Sequence, residues 1–244
     1  MSSMQNAEPF VRASVEAIRA GDIGTLSRLL AEHPALVTTR IAGETGSDAG
    51  AAASRTLLHI VTDWPGHLPN GRAMVGALVG AGADVNARFV GPHQETPLHW
   101  AASCDDVEVL DALLDHGADI EAPGAVVAGG TPLADAVAFG QWNAARRLIA
   151  RGARTTLWQA AALGLMDRIV EGVDGREPTP DEVTQAFWLA CHGGQRQAAE
   201  YLLGRGADIN WVGYDALTPI DAARRSGADA LVEWLLGRGA RSAR

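Results

Sequence analysis

The chain has 244 residues, of which 47% are hydrophobic, 20% charged and 5% aromatic, a composition that supports a sizeable core and argues against wholesale disorder. Twenty basic residues, all of them Arg, stand against 29 acidic ones for a net charge of -9, so neither nucleic acid nor an anionic membrane is an expected partner. Two cysteines, Cys104 and Cys191, make no disulfide framework, no apolar run approaches the roughly 20 residues that span a bilayer, and the N-terminus does not read as a secretory signal; a cytoplasmic location is expected.

Internal repetition sets the domain count before length does. Gly82-Ala83-Asp84, Gly117-Ala118-Asp119, Gly152-Ala153-Arg154, Gly206-Ala207-Asp208 and Gly239-Ala240-Arg241 each follow an apolar segment, at steps of 35, 35, 54 and 33. Upstream of them lie Thr56-Leu57-Leu58-His59, Thr96-Pro97-Leu98-His99, Thr131-Pro132-Leu133-Ala134 and Thr218-Pro219-Ile220-Asp221. Thr followed by Pro is a helix start, because Thr accepts from an orphan N–H and Pro has none to leave unpaired. Gly after the second apolar run is a left-handed helix stop.

Along the chain, residues 1–7 read as a tail and 8–40 as an N-terminal cap unit, with Ala17-Ile18 followed by Leu26, Leu29 and Leu30 at helical spacing. Residues 41–54, rich in Gly, Ala and Ser, read as a long flexible loop. The unit from Thr56 carries an insertion, Asp63 to Gly71, between its two helices. Units then start near Thr96, Thr131, Thr155, Thr184 and Thr218, the step of 54 hiding one shortened unit. In the Thr96 unit, Leu98, Ala101 and Ala102 mark a first helix, and Val109, Leu110, Leu113 and Leu114 a second. Neither helix buries its apolar side alone; stacking on neighbours does so.

The Thr-Pro-Leu-His starts and Gly-Ala-Asp ends resemble the ankyrin repeat. The resemblance implies an all-α solenoid of about seven stacked helix-turn-helix units with finger-like connections, forming a single domain over 8–241. It also implies that His59 and His99 hydrogen-bond backbone between repeats, and that function lies in protein–protein contact through the concave face and the fingers. No cofactor is expected, and the partner is expected to be a protein or peptide met by a monomer.

In that register the exposed ends of the first helices and the fingers supply Trp64, Phe89, His93, Phe139, His192, Trp211 and Tyr214 as anchors, with Asp63 and Arg225 as polar rim. Helix-borne Trp100, Trp142, Trp158, Trp188 and Trp234 are read as packing residues, whereas Trp64 and Trp211 stand open between packing and recognition. Cys104 and Cys191 read as small buried hydrophobes. An alternative function is an enzyme or small-molecule binder that uses an aromatic-lined concave pocket, with Asp63, His192 and Asp135 for acid–base work. No phosphate loop, nucleophile elbow or zinc motif binds those residues together.

Overall fold

The computed structural model describes residues 2–42 and 53–243. The chain divides into two compact units, residues 1–153 and 154–244. In the first unit, α1 (Ser2–Ala20) and α2 (Ile23–Glu32) form the N-terminal pair and bury Ile18, Leu26, Leu29 and Leu30 between them. A short 3-10 turn (Pro34–Thr38) leads to β1 (Ile41–Ala42), antiparallel to β2 (Ser54–Arg55) with Ile41 opposite Arg55. The two ends of the stretch expected as a loop are therefore paired, and its residues 43–52 lie outside the described residues. Three helix pairs follow: α3 (Leu57–Val61) with α4 (Gly71–Gly80), α5 (Pro97–Ser103) with α6 (Val107–Asp115), and α7 (Pro132–Ala138) with α8 (Trp142–Ala150). First helices pack on first helices, as α5 does on α7, and second on second, as α4 does on α6.

The second unit pairs α9 (Leu157–Leu163) with α10 (Met166–Asp174), α11 (Pro180–His192) with α12 (Arg196–Gly204), and α13 (Pro219–Arg225) with α14 (Asp229–Gly237). Its core is centred on α11, whose Phe187 and Trp188 are the largest buried side chains. Gly193 ends that helix where its backbone passes the Ala162 carbonyl so closely that a Cβ would lie 1.9 Å from the oxygen. No larger residue fits there without moving the chain.

Two starts differ from the expected ones. Helix α9 begins after Thr156, not Thr155, because the Gln159 side chain accepts the Thr156 N–H at 2.8 Å. Helix α11 begins after Thr179, five residues ahead of Thr184. A reciprocal capping box closes it: Thr179 N–H donates to Glu182 Oε2 at 2.9 Å, and Glu182 N–H to Thr179 Oγ1 at 3.2 Å. Thr184 lies inside the helix and uses its hydroxyl to accept from Asp208 N–H at 3.1 Å.

Successive repeats are linked by one recurring hydrogen bond. His59, the third residue of α3, takes the Thr56 N–H on Nδ1 at 3.3 Å, so its Nε2 carries the proton and donates to the Glu95 carbonyl at 3.2 Å. His99 does the same between Thr96 N–H and the Gly130 carbonyl, at 3.1 and 3.4 Å. Burial holds both imidazoles down to about 4, consistent with neutral rings. Trp188 stands in for the histidine in the second unit, its indole N–H donating to the Leu217 carbonyl at 2.8 Å. In each case the acceptor is the residue immediately before the next capping threonine.

The fingers are tied separately. Asp84, Asp119 and Asp208 each accept the N–H two residues on, at 2.8–2.9 Å, which turns the chain at the start of each finger. Asn86 Oδ1 accepts Asp119 N–H at 2.8 Å, and Asn210 Oδ1 accepts Arg241 N–H at 2.7 Å, so the residues after α14 take the place of a following finger.

Removing the indole leaves the Leu217 carbonyl with the Gly213 N–H, at 2.9 Å, as its remaining hydrogen bond and opens space in a buried site. Trp188→Phe is expected to lower the stability of the chain by about 1–3 kcal/mol in urea unfolding. A loss below ~0.5 kcal/mol would show that neither the indole hydrogen bond nor its packing holds α11 to the following repeat.

Candidate functional site

The insertion between α3 and α4 is anchored on the repeats on both sides of it. His67 N–H donates to Asp106 Oδ2 at 2.7 Å, His67 Nε2 lies 3.1 Å from the Cys104 carbonyl, and Asn70 Nδ2 donates to the Gly21 carbonyl at 2.9 Å. Gly66, at φ 77°, passes so near Cys104 that a Cβ would lie 2.7 Å from that side chain. These anchors fix the loop and turn Trp64 outwards, where 77% of it is exposed.

Trp64 forms one wall of a cleft of about 520 Å³ in the first unit. Thr62 and Asp63 come from the same loop, Glu95 from the finger before α5, and Trp100, Ser103 and Cys104 from α5 and its turn. Val126 belongs to the next finger, and Phe139 and Gln141 to the turn after α7. Phe139 is 49% exposed, a high value for a phenyl ring on a folded chain. Trp100 is half-buried, edge-on to His59 at 4.9 Å between centroids and tilted on Phe89 at 5.5 Å. Its orientation is thus set by the histidine that links the repeats.

The electrostatics are one-sided. The lining holds two carboxylates, Asp63 and Glu95, and no Arg or His. Asp63 is neutralised from outside the lining by Arg55, 2.7 Å away. The Glu95 backbone is clamped, its carbonyl accepting from His59 and from Phe89 N–H at 2.7 Å. Burial pushes its carboxyl upwards, while a hydrogen bond from Trp100 and the charge of His93 oppose this. Asp135, on α7, is 0% exposed; burial pushes its carboxyl up to about 7, the charge of Glu95 adds to the effect, and the Val127 and Val126 N–H groups oppose it. Asp135 Oδ2 has no hydrogen-bond partner among the described residues. Burial also raises the Cys104 thiol to about 11, so it is no thiolate at neutral pH.

Of the residues expected from the sequence, Asp63, Trp64 and Phe139 meet in this cleft. Phe89 is half-buried and packs beneath it on Trp100, while His93 is exposed on the finger outside the lining. His192, Trp211, Tyr214 and Arg225 belong to the second unit. There Tyr214 meets Trp188 and Trp211 edge-on at 5.1 and 5.9 Å, and Arg225 pairs with Asp215 at 2.5 Å.

Two expected orientations are corrected. His192 is only 7% exposed, because its ring lies against Trp188 at 5.6 Å between centroids. Asp135 does not reach solvent at all, being the fourth residue of a helix buried along that side. Asp63, His192 and Asp135 thus comprise an ion-paired carboxylate, a buried imidazole in the other unit and a closed-off carboxyl. Trp100 and Glu95 were not singled out for the site. Trp100 has the spacing of a packing residue, and the signal for Glu95 was its place one residue ahead of Thr96, where Gly130 and Leu217 stand in other repeats. Among the described residues no three His, Cys, Asp or Glu side chains group to hold a metal ion, and no helix is long and apolar enough to cross a membrane.

A family model for ankyrin repeats (3 copies) matches residues 15–123 and 58–157, more than half of the chain. With the stacked helix pairs and their histidine links, the chain belongs to the ankyrin repeat family, whose members generally act as protein-interaction modules. No curated protein sequence matches the chain.

Asp135 makes a stability prediction with a definite sign. Its folded-state pKa of about 7 lies above the ordinary 3.8. Its favourable contribution is full below about pH 4 and lost as pH rises through 7, since the folded state must then ionise a buried carboxyl. His59 and His99 act oppositely, losing stability as pH falls from 6.5 towards 4. Comparing wild type with Asp135→Asn isolates the carboxyl: the variant should match wild type at pH 4 and exceed it by ~2–4 kcal/mol at pH 8. A difference that does not change with pH would contradict the burial of a titrating group.

Proposed function

We propose that the chain is a non-catalytic binding module that seats a segment of another protein in the cleft of Trp64, Trp100 and Phe139. The observation that carries this reading is the exposure of Trp64 and Phe139 on either side of a cleft whose loop is anchored by four contacts. Ordered aromatic side chains left open to water are what interfaces use at their energetic centres. Rigidity matters as much as exposure, because a preformed wall spares the ordering cost of association. The Trp211–Tyr214 cluster beside Arg225 in the second unit is a further contact surface of the same kind.

A small apolar molecule is the second reading, favoured by the volume of about 520 Å³, which falls within the roughly 300–1,000 Å³ of small-ligand sites. The open cleft and the linear run of three repeats along it favour an extended segment.

A random dodecamer library selected on the folded chain tests this directly. Peptides that bind wild type should lose at least tenfold in affinity against Trp64→Ala and Phe139→Ala, with the melting temperature of each variant close to wild type. Selected peptides that bind both variants as well as wild type would sink the assignment of the cleft.

A further inference from the structure

We propose that the cleft selects an arginine side chain on the partner segment, its guanidinium lying on the aromatic walls and paired with Glu95. This rests on the reading of the cleft as a protein-binding site and names the chemistry it would recognise.

Three aromatic rings, Trp64, Trp100 and Phe139, share the cleft with Asp63 and Glu95, and no cationic group lines it. Aromatic faces carry negative quadrupole density and attract cations, most strongly at indole. Carboxylates do the same by charge. An aromatic cleft meant for an apolar side chain alone has no use for a carboxylate on its lining, since desolvating that group opposes binding.

Which carboxylate is available follows from the ion pairs. Asp63 is already engaged by Arg55 at 2.7 Å, and both side chains are largely covered. Glu95 is different: it forms no ion pair among the described residues, and its buried carboxyl is hydrogen-bonded by Trp100 and acted on by the charge of His93. The hydrogen bond from Trp100 holds the Glu95 carboxyl beside the indole, so an incoming cation meets ring and carboxylate together. The clamped Glu95 backbone keeps its side chain on the lining.

Arginine suits this arrangement better than lysine. A planar guanidinium stacks on an aromatic face while donating two parallel N–H bonds to a carboxylate, which a hydrated ammonium does not do. The overall charge of -9 adds long-range attraction for a basic segment.

The test uses the peptides selected above, sorted by dependence on Trp64 and Phe139. They should be enriched in arginine at one position. Replacing that arginine by citrulline, a neutral isostere, should weaken binding at least tenfold by calorimetry, and lysine should fall between the two. Raising the salt from 0.05 to 0.5 M should weaken the arginine peptide several-fold and leave the citrulline peptide unchanged. Glu95→Gln, checked for an unchanged melting temperature, should bind both peptides with the weaker affinity. The citrulline comparison needs no protein variant, so the outcome does not hinge on Glu95→Gln folding.

Cleft-dependent peptides without a basic position, or equal affinity for arginine and citrulline within twofold, would overturn the inference while leaving the binding role intact. If no selected peptide depends on the cleft, both readings fail together. Concentration-dependent self-association lost in Trp64→Ala would replace the partner with a second copy of the chain and overturn the assignment to another protein.

Discussion

Three of the repeats are held to the next by a side-chain donor that reaches the carbonyl just ahead of the following helix cap. His59, His99 and Trp188 make this bond with rings of different size, and the shared element is the N–H rather than the residue type. A helix of seven residues or fewer is too short to be stable alone in water. Its first turn becomes fixed because the same imidazole satisfies the cap's N–H on one side and the next repeat's carbonyl on the other. The bond therefore joins local helix initiation to stacking, and the cleft beside it inherits its geometry from that junction.

The inheritance is visible at Glu95. Its carbonyl is the acceptor for His59, so a residue that places a carboxyl on the cleft is also a structural joint. Trp100 is oriented by the ring of the same histidine. What projects from such a joint can vary while its main chain is kept, which is how one scaffold supports different ligands. The strained feature nearby is Asp135, a carboxyl closed off from water at the start of α7 and held there against its preference for ionisation.

Most of the repeat architecture was legible in the residues. Thr-Pro at helix starts and Gly at helix ends are local signals set by capping and by the left-handed backbone, and they need no tertiary information. The exceptions have physical causes. Thr184 looked like a start because it stands at the repeat spacing, yet Thr179-Pro180-Asp181-Glu182 offers a complete capping box and takes the helix from there. For the site, Trp64 and Phe139 were legible because insertion and helix-end positions face outwards. His192 was misplaced because register gives a direction but not what fills it, and Trp188 covers that ring. Trp100, half-buried, and Glu95, buried, are not marked in the sequence as cleft residues, because their place on its lining depends on neighbours supplied by other repeats.

The anchoring of the insertion reaches beyond this one chain. Trp64 is encoded by one repeat but held by the Cys104 carbonyl and the Asp106 carboxylate of the next, and Phe139 comes from the repeat after that. The cleft is consequently a three-repeat module with a fixed internal order. Duplication, deletion or shuffling of single repeats, the usual currency of change in such arrays, would separate the loop from its anchors and dismantle the cleft in one step. Transfer of the cleft to another scaffold with its anchors intact requires the block from Gly21 to Gln141 to move whole.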